Sequence, residues 1–232
     1  LVEMFPNIIP LEDEEVSKQL EKNFKKMKMK ILTGSTVESA DITGEMVRVN
    51  IKTPKGTETV EADIVFSAAG VSTNIEGIGL EEAGVKTEKG KVVVDDYYRT
   101  TAEGVYAIGD IVKGPALAHV ASAEGILCVE KIAGLNPEPL DYNNIPSCIY
   151  TSPEVASCGM TEKQAAEGGY EIKVGKFPYT ASGKASAAGA RDGFVKIIFD
   201  AKYGEILGAH MIGANVTEMI AEIVVARKLE TT

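Results

Sequence analysis

The stretch TAEGVYAIGD, residues 101–110, ends a short apolar segment in a bare Gly-Asp pair. An aspartate at the tip of a buried strand needs a partner, because a carboxylate is costly to bury alone. Asp110 can cap the following loop, bind a cation, or accept hydrogen bonds from the hydroxyl groups of a polar ligand. The next helix opens at ALAH, residues 116–119. A helix N-terminus offers free N–H groups to an anion or an electron-rich ring. The spacing leaves open whether Asp110 and this helix form a two-part grip on a cofactor or Asp110 only caps the loop.

The composition excludes several classes of protein. The 232 residues, 44% of them hydrophobic, suffice for one large domain or two small ones. The formal net charge of −10 argues against a nucleic-acid partner. No apolar run approaches the roughly 18 residues of a membrane span, and no signal peptide opens the chain, so we expect no membrane partner. We expect both ends to be cuts, because the chain starts without methionine in a strand-like segment and stops without a helix cap.

The cysteines and histidines show no metal-ligand spacing. Cys128, Cys148 and Cys158 form no CxxC pair, so we predict free thiols in a reducing cytoplasm. His119 and His210 lie far apart in the sequence, and a metal site built on them is not expected.

Hydrophobic periodicity predicts the order of helices and strands. Val16, Leu20 and Phe24 repeat at four-residue steps and predict a helix within residues 11–29. The Pro- and Asn-rich segment 135–146 is a candidate domain boundary. Before it we predict a helix at 118–133 and strands at 30–32, 47–53, 59–70, 91–99 and 105–108. Beyond it we predict helices at 161–169 and 216–228 and strands at 147–151, 171–179, 193–200 and 205–213.

Six segments together resemble one family. TAEGVYAIGD, with GPALAHVASAEG after it, resembles the FAD-binding signature of the flavoprotein disulfide reductases, the pyridine nucleotide-disulfide oxidoreductases. The members that oxidise dihydrolipoamide fit best, while the mercuric and glutathione reductases share the architecture but fit less well. The other segments that fit, in order, are EDEEVSKQLEK, GLEEAGV, VDDYYRT, CIYTSPEVASCGMTEKQA and GEILGAHMIG.

This resemblance implies a set of FAD-binding residues. Asp110 matches the aspartate that binds the ribitol–pyrophosphate part of FAD. Ala116, Leu117, Ala118 and His119 match residues that place backbone amides near the flavin ring. A helix N-terminus at that ring would stabilise negative charge on a reduced flavin. Read without the resemblance, His119 is an ordinary residue at the start of a helix.

The resemblance also implies an NAD-binding set. Glu3 matches the acidic residue that ends the second strand of the NAD domain, where a carboxylate accepts both ribose hydroxyls and repels a 2′-phosphate. NAD is therefore implied rather than NADP, although Glu3 alone looks like a common surface residue. Val37 matches an adenine-side contact, and Ala69 and Gly70 match the backbone near the nicotinamide. The segment GVSTN, residues 70–74, lacks an arginine that the family often carries, so the resemblance implies no phosphate contact there.

The implied fold is α/β followed by α+β. Residues 1–70 match the C-terminal part of a Rossmann-like NAD-binding domain, and residues 71–142 match a central FAD-binding segment. Residues 143–232 match an interface domain with an antiparallel sheet that pairs two subunits, which implies a homodimer.

The implied activity is the oxidation of dihydrolipoamide by NAD⁺ through FAD and a redox disulfide. The implied partner is the lipoamide-bearing acyltransferase of a 2-oxo acid dehydrogenase complex. The family's redox cysteine pair and His–Glu base have no match in these residues, so we expect the isolated chain to be inactive and to bind flavin poorly. Two alternatives remain: a homodimerisation module without catalysis, and a part of a related mercuric or glutathione reductase.

Overall fold

The computed structural model describes all 232 residues, with five α-helices and ten β-strands. The helices are α1 (Glu14–Lys26), α2 (Ala118–Ile132), α3 (Glu162–Glu167), α4 (Gly183–Ala187) and α5 (Val216–Lys228). The strands are β1 (Thr36–Thr43), β2 (Met46–Thr53), β3 (Gly56–Ala62), β4 (Thr87–Glu88), β5 (Lys91–Val92), β6 (Ser147–Ile149), β7 (Glu154–Gly159), β8 (Ile172–Pro178), β9 (Phe194–Asp200) and β10 (Ile206–Gly213).

The chain forms two compact units. The first unit combines Leu1–Phe66 with Asn143–Thr232, and the second is Ser67–Tyr142. The first unit holds a three-stranded antiparallel sheet in the order β1-β2-β3 and a five-stranded antiparallel sheet in the order β6-β7-β10-β9-β8. The second unit holds the β4–β5 pair and helix α2. No helix is both long and apolar enough to cross a lipid bilayer.

Helices cover both faces of the five-stranded sheet. Strand β10 is buried along its whole length, and its alternating side chains reach opposite faces. Ala209 and Met211 pack with Val216 and Ile220 at the start of α5. On the other face, Ile212 packs in one cluster with Val16 and Leu20 of α1, and with neighbouring apolar residues of β7 and β9. The sheet is therefore the middle layer of a helix–sheet–helix arrangement.

Local sequence explains where helix α1 begins. The side chain of Asp13 accepts a hydrogen bond from the backbone N–H of Glu15 at 3.1 Å and so caps the helix. Glu14 and Glu15 lie in its first turn, and Lys25 and Lys26 lie in its last, which suits the helix dipole. The predicted helix within 11–29 is confirmed with shorter bounds.

Some predicted strands are absent and some observed strands were not predicted. The segment 91–99 contributes the two residues of β5 and isolated bridges at Val94 and Arg99, and 105–108 contributes only the bridge between Tyr106 and Arg99. Strands β1, β4 and β7 were missed. Strand β1 is almost entirely exposed, and β7 is rich in small residues, so neither carries a strong alternating apolar pattern.

The three cysteines are free, as predicted. Cys128 and Cys158 are buried, and Cys148 is partly buried. Burial is the main reason why the pKa values of Cys128 and Cys148 lie above the usual thiol value. These thiols behave as small core side chains rather than as reactive groups.

Candidate cofactor site

The turn that carries Asp110 is a single 3-10 turn, Gly109–Ile111. The expectation that it ends a buried strand is wrong, because Val105, Tyr106 and Ile108 are each more than a third exposed. The residues before the turn are held instead by two backbone hydrogen bonds, from Thr100 to the carbonyl of Val105 and from Ala107 to that of Tyr98. Asp110 is exposed and forms no ion pair with the chain, so its carboxylate is free to accept hydrogen bonds from a ligand.

The start of helix α2 has free donors. Its N-cap residue is Leu117, which has extended backbone and provides no side-chain hydrogen bond, and the first turn holds no acidic residue. Asp110 therefore does not cap this helix, and the backbone N–H groups of its first turn are left for a ligand. Ala116, Ala118 and His119 are exposed. The N–H of Leu117 is already engaged, because it donates to the carbonyl of Pro115 at 3.0 Å.

Two glycines let the Asp110 turn press against α2. A Cβ atom on Gly109, whose φ is +77°, would lie 3.3 Å from the Cβ of Ala121. A Cβ on Gly125 would lie 3.2 Å from the Cδ1 of Ile108. Larger residues at either position would push the turn away from the helix. The structure thus packs the turn that carries Asp110 against α2 within the second unit.

A buried carboxylate behind this turn was not predicted. Glu124 on α2 is 1% exposed, and its Oε2 accepts a hydrogen bond from the backbone N–H of Gly109 at 2.6 Å. Its Oε1 accepts from the hydroxyl of Tyr142 at 2.6 Å, and that hydroxyl lies 3.1 Å from the hydroxyl of Tyr98. Burial above all, and then the hydrogen bonds with Glu124 and Tyr98, raise the pKa of Tyr142 far above the usual value. The sequence did hold a signal for this buried glutamate. Glu124 lies four residues after Val120 and three before Leu127, so helical spacing places it on the buried, apolar face of α2.

The predicted NAD-binding residues fall in both units. Glu3 is partly buried, and its Oε1 accepts a hydrogen bond from the backbone N–H of Phe5 at 2.8 Å. The backbone carbonyl of Glu3 accepts from the N–H of Ser35 at 2.9 Å, two residues before the half-exposed Val37 on β1. Glu3 and Val37 are thus neighbours in the first unit. Ala69 and Gly70 are exposed and belong to the second unit.

Comparison with family models decides the assignment. The model described as pyridine nucleotide-disulphide oxidoreductase matches residues 1–125, which include the Asp110 turn and the start of α2. The model of that family's dimerisation domain matches residues 145–232. The chain belongs to the pyridine nucleotide-disulphide oxidoreductase family. The family predicted from the six sequence segments is therefore confirmed.

Curated members of the family resemble the chain over its whole length. Dihydrolipoyl dehydrogenase from Rhizobium etli is 48% identical, and the one from Bacillus subtilis is 45% identical, each over 234 residues. Each alignment covers 100% of this chain and 49% of the relative, so the chain spans about half the length of the curated relatives it matches. These names agree with the prediction that the family members that oxidise dihydrolipoamide fit best.

Two solved structures share the fold. LpdA from Mycobacterium tuberculosis superimposes with a TM-score of 0.90 at 27% identity, over 100% of this chain and 50% of that one. The flavoprotein disulfide reductase RclA from Escherichia coli gives a TM-score of 0.90 at 23% identity, over 99% of this chain and 52% of that one, and shows the fold alone. Together with the matched dimerisation domain, this confirms the predicted α/β and α+β fold class.

Proposed function

We propose that this chain supplies cofactor-binding surfaces and a dimer interface to a reductase that oxidises dihydrolipoamide. The overall reaction is dihydrolipoamide + NAD⁺ → lipoamide + NADH + H⁺, with FAD and a redox disulfide carrying the electrons between the two substrates. One observation carries the proposal. The exposed Asp110 turn packs against the uncapped start of α2, within the residues that match the family model.

The proposed FAD-binding residues fit the cofactor chemically. The carboxylate of Asp110 would accept hydrogen bonds from the hydroxyl groups of the ribitol–pyrophosphate part. The backbone around Ala116, Leu117, Ala118 and His119 would lie beside the flavin ring, where the positive end of α2 favours electron-rich groups. His119 has a supporting position in this scheme and transfers no proton. When bound, FAD would supply the two-electron chemistry, while these residues bind and orient it.

The proposed NAD-binding residues are Glu3, Val37, Ala69 and Gly70. One carboxylate oxygen of Glu3 accepts from Phe5, and the other remains available for a ribose hydroxyl. A fixed negative charge at that point disfavours the 2′-phosphate of NADP. In the same proposal, residues 1–70 form part of the NAD-binding domain and 71–142 form the FAD-binding segment.

We further propose that residues 143–232 form a homodimer, on the basis of the matched dimerisation domain. A lipoamide-bearing acyltransferase would be the partner of the whole enzyme. The free thiols suit a reducing cytoplasm. The isolated 232-residue chain would be a dimer without lipoamide activity, and sedimentation that showed only monomer at high micromolar concentration would contradict the dimer.

A hybrid enzyme tests the cofactor roles. In it, this chain replaces the matched segment of the Bacillus subtilis dihydrolipoyl dehydrogenase, which then supplies the flanking residues. We expect the hybrid to bind FAD stoichiometrically and to reduce NAD⁺ with dihydrolipoamide. Asp110→Asn should weaken FAD binding about tenfold or more, because a charged hydrogen-bond acceptor is lost.

Glu103→Gln is the matched control. Glu103 is an exposed carboxylate in the same 101–110 stretch, and its loss should leave flavin affinity unchanged. A hybrid that folds but binds no flavin, or an Asp110→Asn hybrid with undiminished affinity, would refute the proposed site.

A further inference from the structure

We propose that Glu124 and Tyr142 are positioning residues that hold the 109–117 loop in the shape needed to grip the flavin. Neither was among the residues predicted for the site. This inference rests on the proposed function, because it concerns the loop that joins Asp110 to the start of α2. Flavin binding by the loop depends on a buried polar cluster behind it, which consists of Tyr98, Glu124 and Tyr142.

The first contact fixes the turn beside Asp110. The Oε2 of Glu124 accepts the backbone N–H of Gly109 at 2.6 Å. Gly109 has a φ of +77°, which is a left-handed conformation that few other residues adopt without strain. Because Asp110 follows directly, the orientation of the Gly109 peptide sets the direction in which the Asp110 side chain leaves the backbone.

The second contact fixes the middle of the loop. A Cβ atom on Gly114, whose φ is +144°, would lie 2.9 Å from the Cε1 of Tyr142, so the tyrosine ring covers the backbone of Gly114. The hydroxyl of the same ring donates to the Oε1 of Glu124 at 2.6 Å. One carboxylate therefore ties together the Gly109 turn and the ring that supports Gly114.

The third contact reaches the residues that enter the turn. The hydroxyl of Tyr98 lies 3.1 Å from that of Tyr142, and the backbone carbonyl of Tyr98 accepts the N–H of Ala107 at 3.0 Å. The cluster thus touches the chain at positions 107, 109 and 114, before, within and after the turn. These contacts support the relative placement of Asp110 and the N-terminus of α2.

Packing alone gives no reason for a carboxylate at position 124. An aliphatic side chain would fill the space on the apolar face of α2 without the cost of burying a carboxylate. A carboxylate with two acceptor oxygens offers something that an aliphatic residue lacks. It bonds a peptide N–H and a tyrosine hydroxyl at once, through short hydrogen bonds.

The test measures loop geometry and flavin affinity separately. Hydrogen exchange of the Gly109 amide is followed by ¹⁵N NMR in the full 232-residue chain. FAD affinity is measured in the hybrid enzyme defined above. In Glu124→Leu both acceptors are lost, so the Gly109 amide should exchange faster and FAD should bind about tenfold more weakly.

Three further variants separate positioning from stability. Glu124→Gln keeps a carbonyl for Gly109 and offers an N–H to the Tyr142 hydroxyl, so it should stay within about threefold of the parent affinity. Leu127→Ala destabilises the same helix by removing apolar packing beside Tyr98, but it keeps both hydrogen bonds of Glu124, and its folded form should bind FAD like the parent. If Glu124→Leu does not fold, Glu124→Asp replaces it. Its carboxylate is one methylene too short to reach both partners, and binding should weaken about fivefold.

The outcomes distinguish the positioning role of Glu124 from the proposed FAD-binding role of Asp110. Undiminished FAD affinity in Glu124→Leu, or in Glu124→Asp where that replaces it, overturns the positioning role. Equal losses of affinity in Leu127→Ala and in the Glu124 variant also overturn it, because general destabilisation would then explain the effect. If affinity falls in Asp110→Asn under either result, the proposed function stands. If Asp110→Asn binds FAD like the parent, the proposed function fails, and the positioning role fails with it.

Discussion

Lys196 in the first unit and Glu124 in the second are both almost fully buried, and their charges are satisfied in opposite ways. In the first unit, Lys196 on β9 is 1% exposed, and its Nζ lies 3.0 Å from Asp13, 2.9 Å from Glu15 and 2.6 Å from Glu162. In the second unit, Glu124 bonds only neutral donors, a peptide N–H and a tyrosine hydroxyl. The first arrangement locks distant segments together, whereas the second shapes a single loop.

Lys196 belongs to a row of polar residues that crosses the whole five-stranded sheet. With Asp13, Glu15 and Glu162 it forms the Lys196 cluster. Cross-strand pairing aligns Ser147, Ser157, His210, Lys196 and Lys176 from one edge to the other. The acidic start of α1 lies against this row. Ser147 donates to Glu12 at 3.0 Å, and Lys176 donates to Glu15 at 2.8 Å. The row therefore attaches residues from the beginning of the chain to a sheet formed near its end.

The largest expected effect comes from removing the buried cation. Lys196→Met leaves the buried Asp13 facing two further carboxylates without a counter-charge, which should cost about 3 kcal/mol of unfolding free energy. Urea unfolding measures the loss. Lys176→Met is the matched control, since that ammonium is partly exposed and should contribute less than about 1 kcal/mol. Equal losses in the two variants would remove the distinction between the buried and the exposed cation.

Acid should weaken the first unit through Glu15. Hydrogen bonds from Lys176 and Lys196 hold the pKa of Glu15 below its usual value of 4.5. A carboxyl group with a lowered folded-state pKa stabilises the protein above the unfolded-state pKa, and this contribution is lost as the pH falls through the folded-state pKa. The melting temperature should therefore drop below about pH 4.5, and it should drop less in the Lys176→Met, Lys196→Met double variant. A parallel drop in both proteins would rule out this linkage.

Removing one neutral partner from the buried polar cluster of Tyr98, Glu124 and Tyr142 should cost less unfolding free energy than removing the cation from the Lys196 cluster. Tyr142→Phe keeps the ring over Gly114 and removes only the hydroxyl that donates to Glu124. We expect a loss of about 1.5 to 2 kcal/mol, the lower part of the range for a hydrogen bond to a charged group. Chemical unfolding of the 232-residue chain measures it. A loss as large as that in Lys196→Met would mean that the second cluster is also a main source of stability.

The smallest effect is spectroscopic. Burial raises the pKa of Tyr142, and it also raises that of Tyr98 despite the hydrogen bond between the two. These tyrosines stabilise the fold below the usual tyrosine pKa, and that contribution fades as the pH rises through their raised values. In an alkaline titration of tyrosinate absorbance, part of the signal from the eight tyrosines should therefore appear late. Tyr142→Phe should remove one tyrosine from the late fraction and none from the early one.

Local sequence patterns were sufficient to predict the elements that have strong periodicity or local caps. The helix predicted at 216–228 has those bounds in the structure, and the helix predicted at 118–133 ends one residue earlier. Strands β8, β9 and β10 were predicted within a few residues. The six segments also identified the family, and they predicted Asp110 and the 116–119 start of α2 as site residues. In the structure, the turn that carries Asp110 packs against α2. These features depend on residues close together in the chain, where spacing and side-chain chemistry are sufficient.

Contacts between residues that are distant in the chain could not be predicted and are seen only in the folded protein. The ion pair between Lys196 and Asp13 joins residues 183 positions apart, and no local pattern specifies it. Strand β7 was missed because its small side chains show no strand pattern in the sequence. It forms a strand by pairing with β6 and β10 on either side. The burial of Glu124 depends on a tyrosine 18 residues away and on a turn 15 residues before it. In each case the stabilising partner is distant in the sequence and is brought close by folding. Periodicity and propensity describe only nearby residues, so they do not predict such a partner.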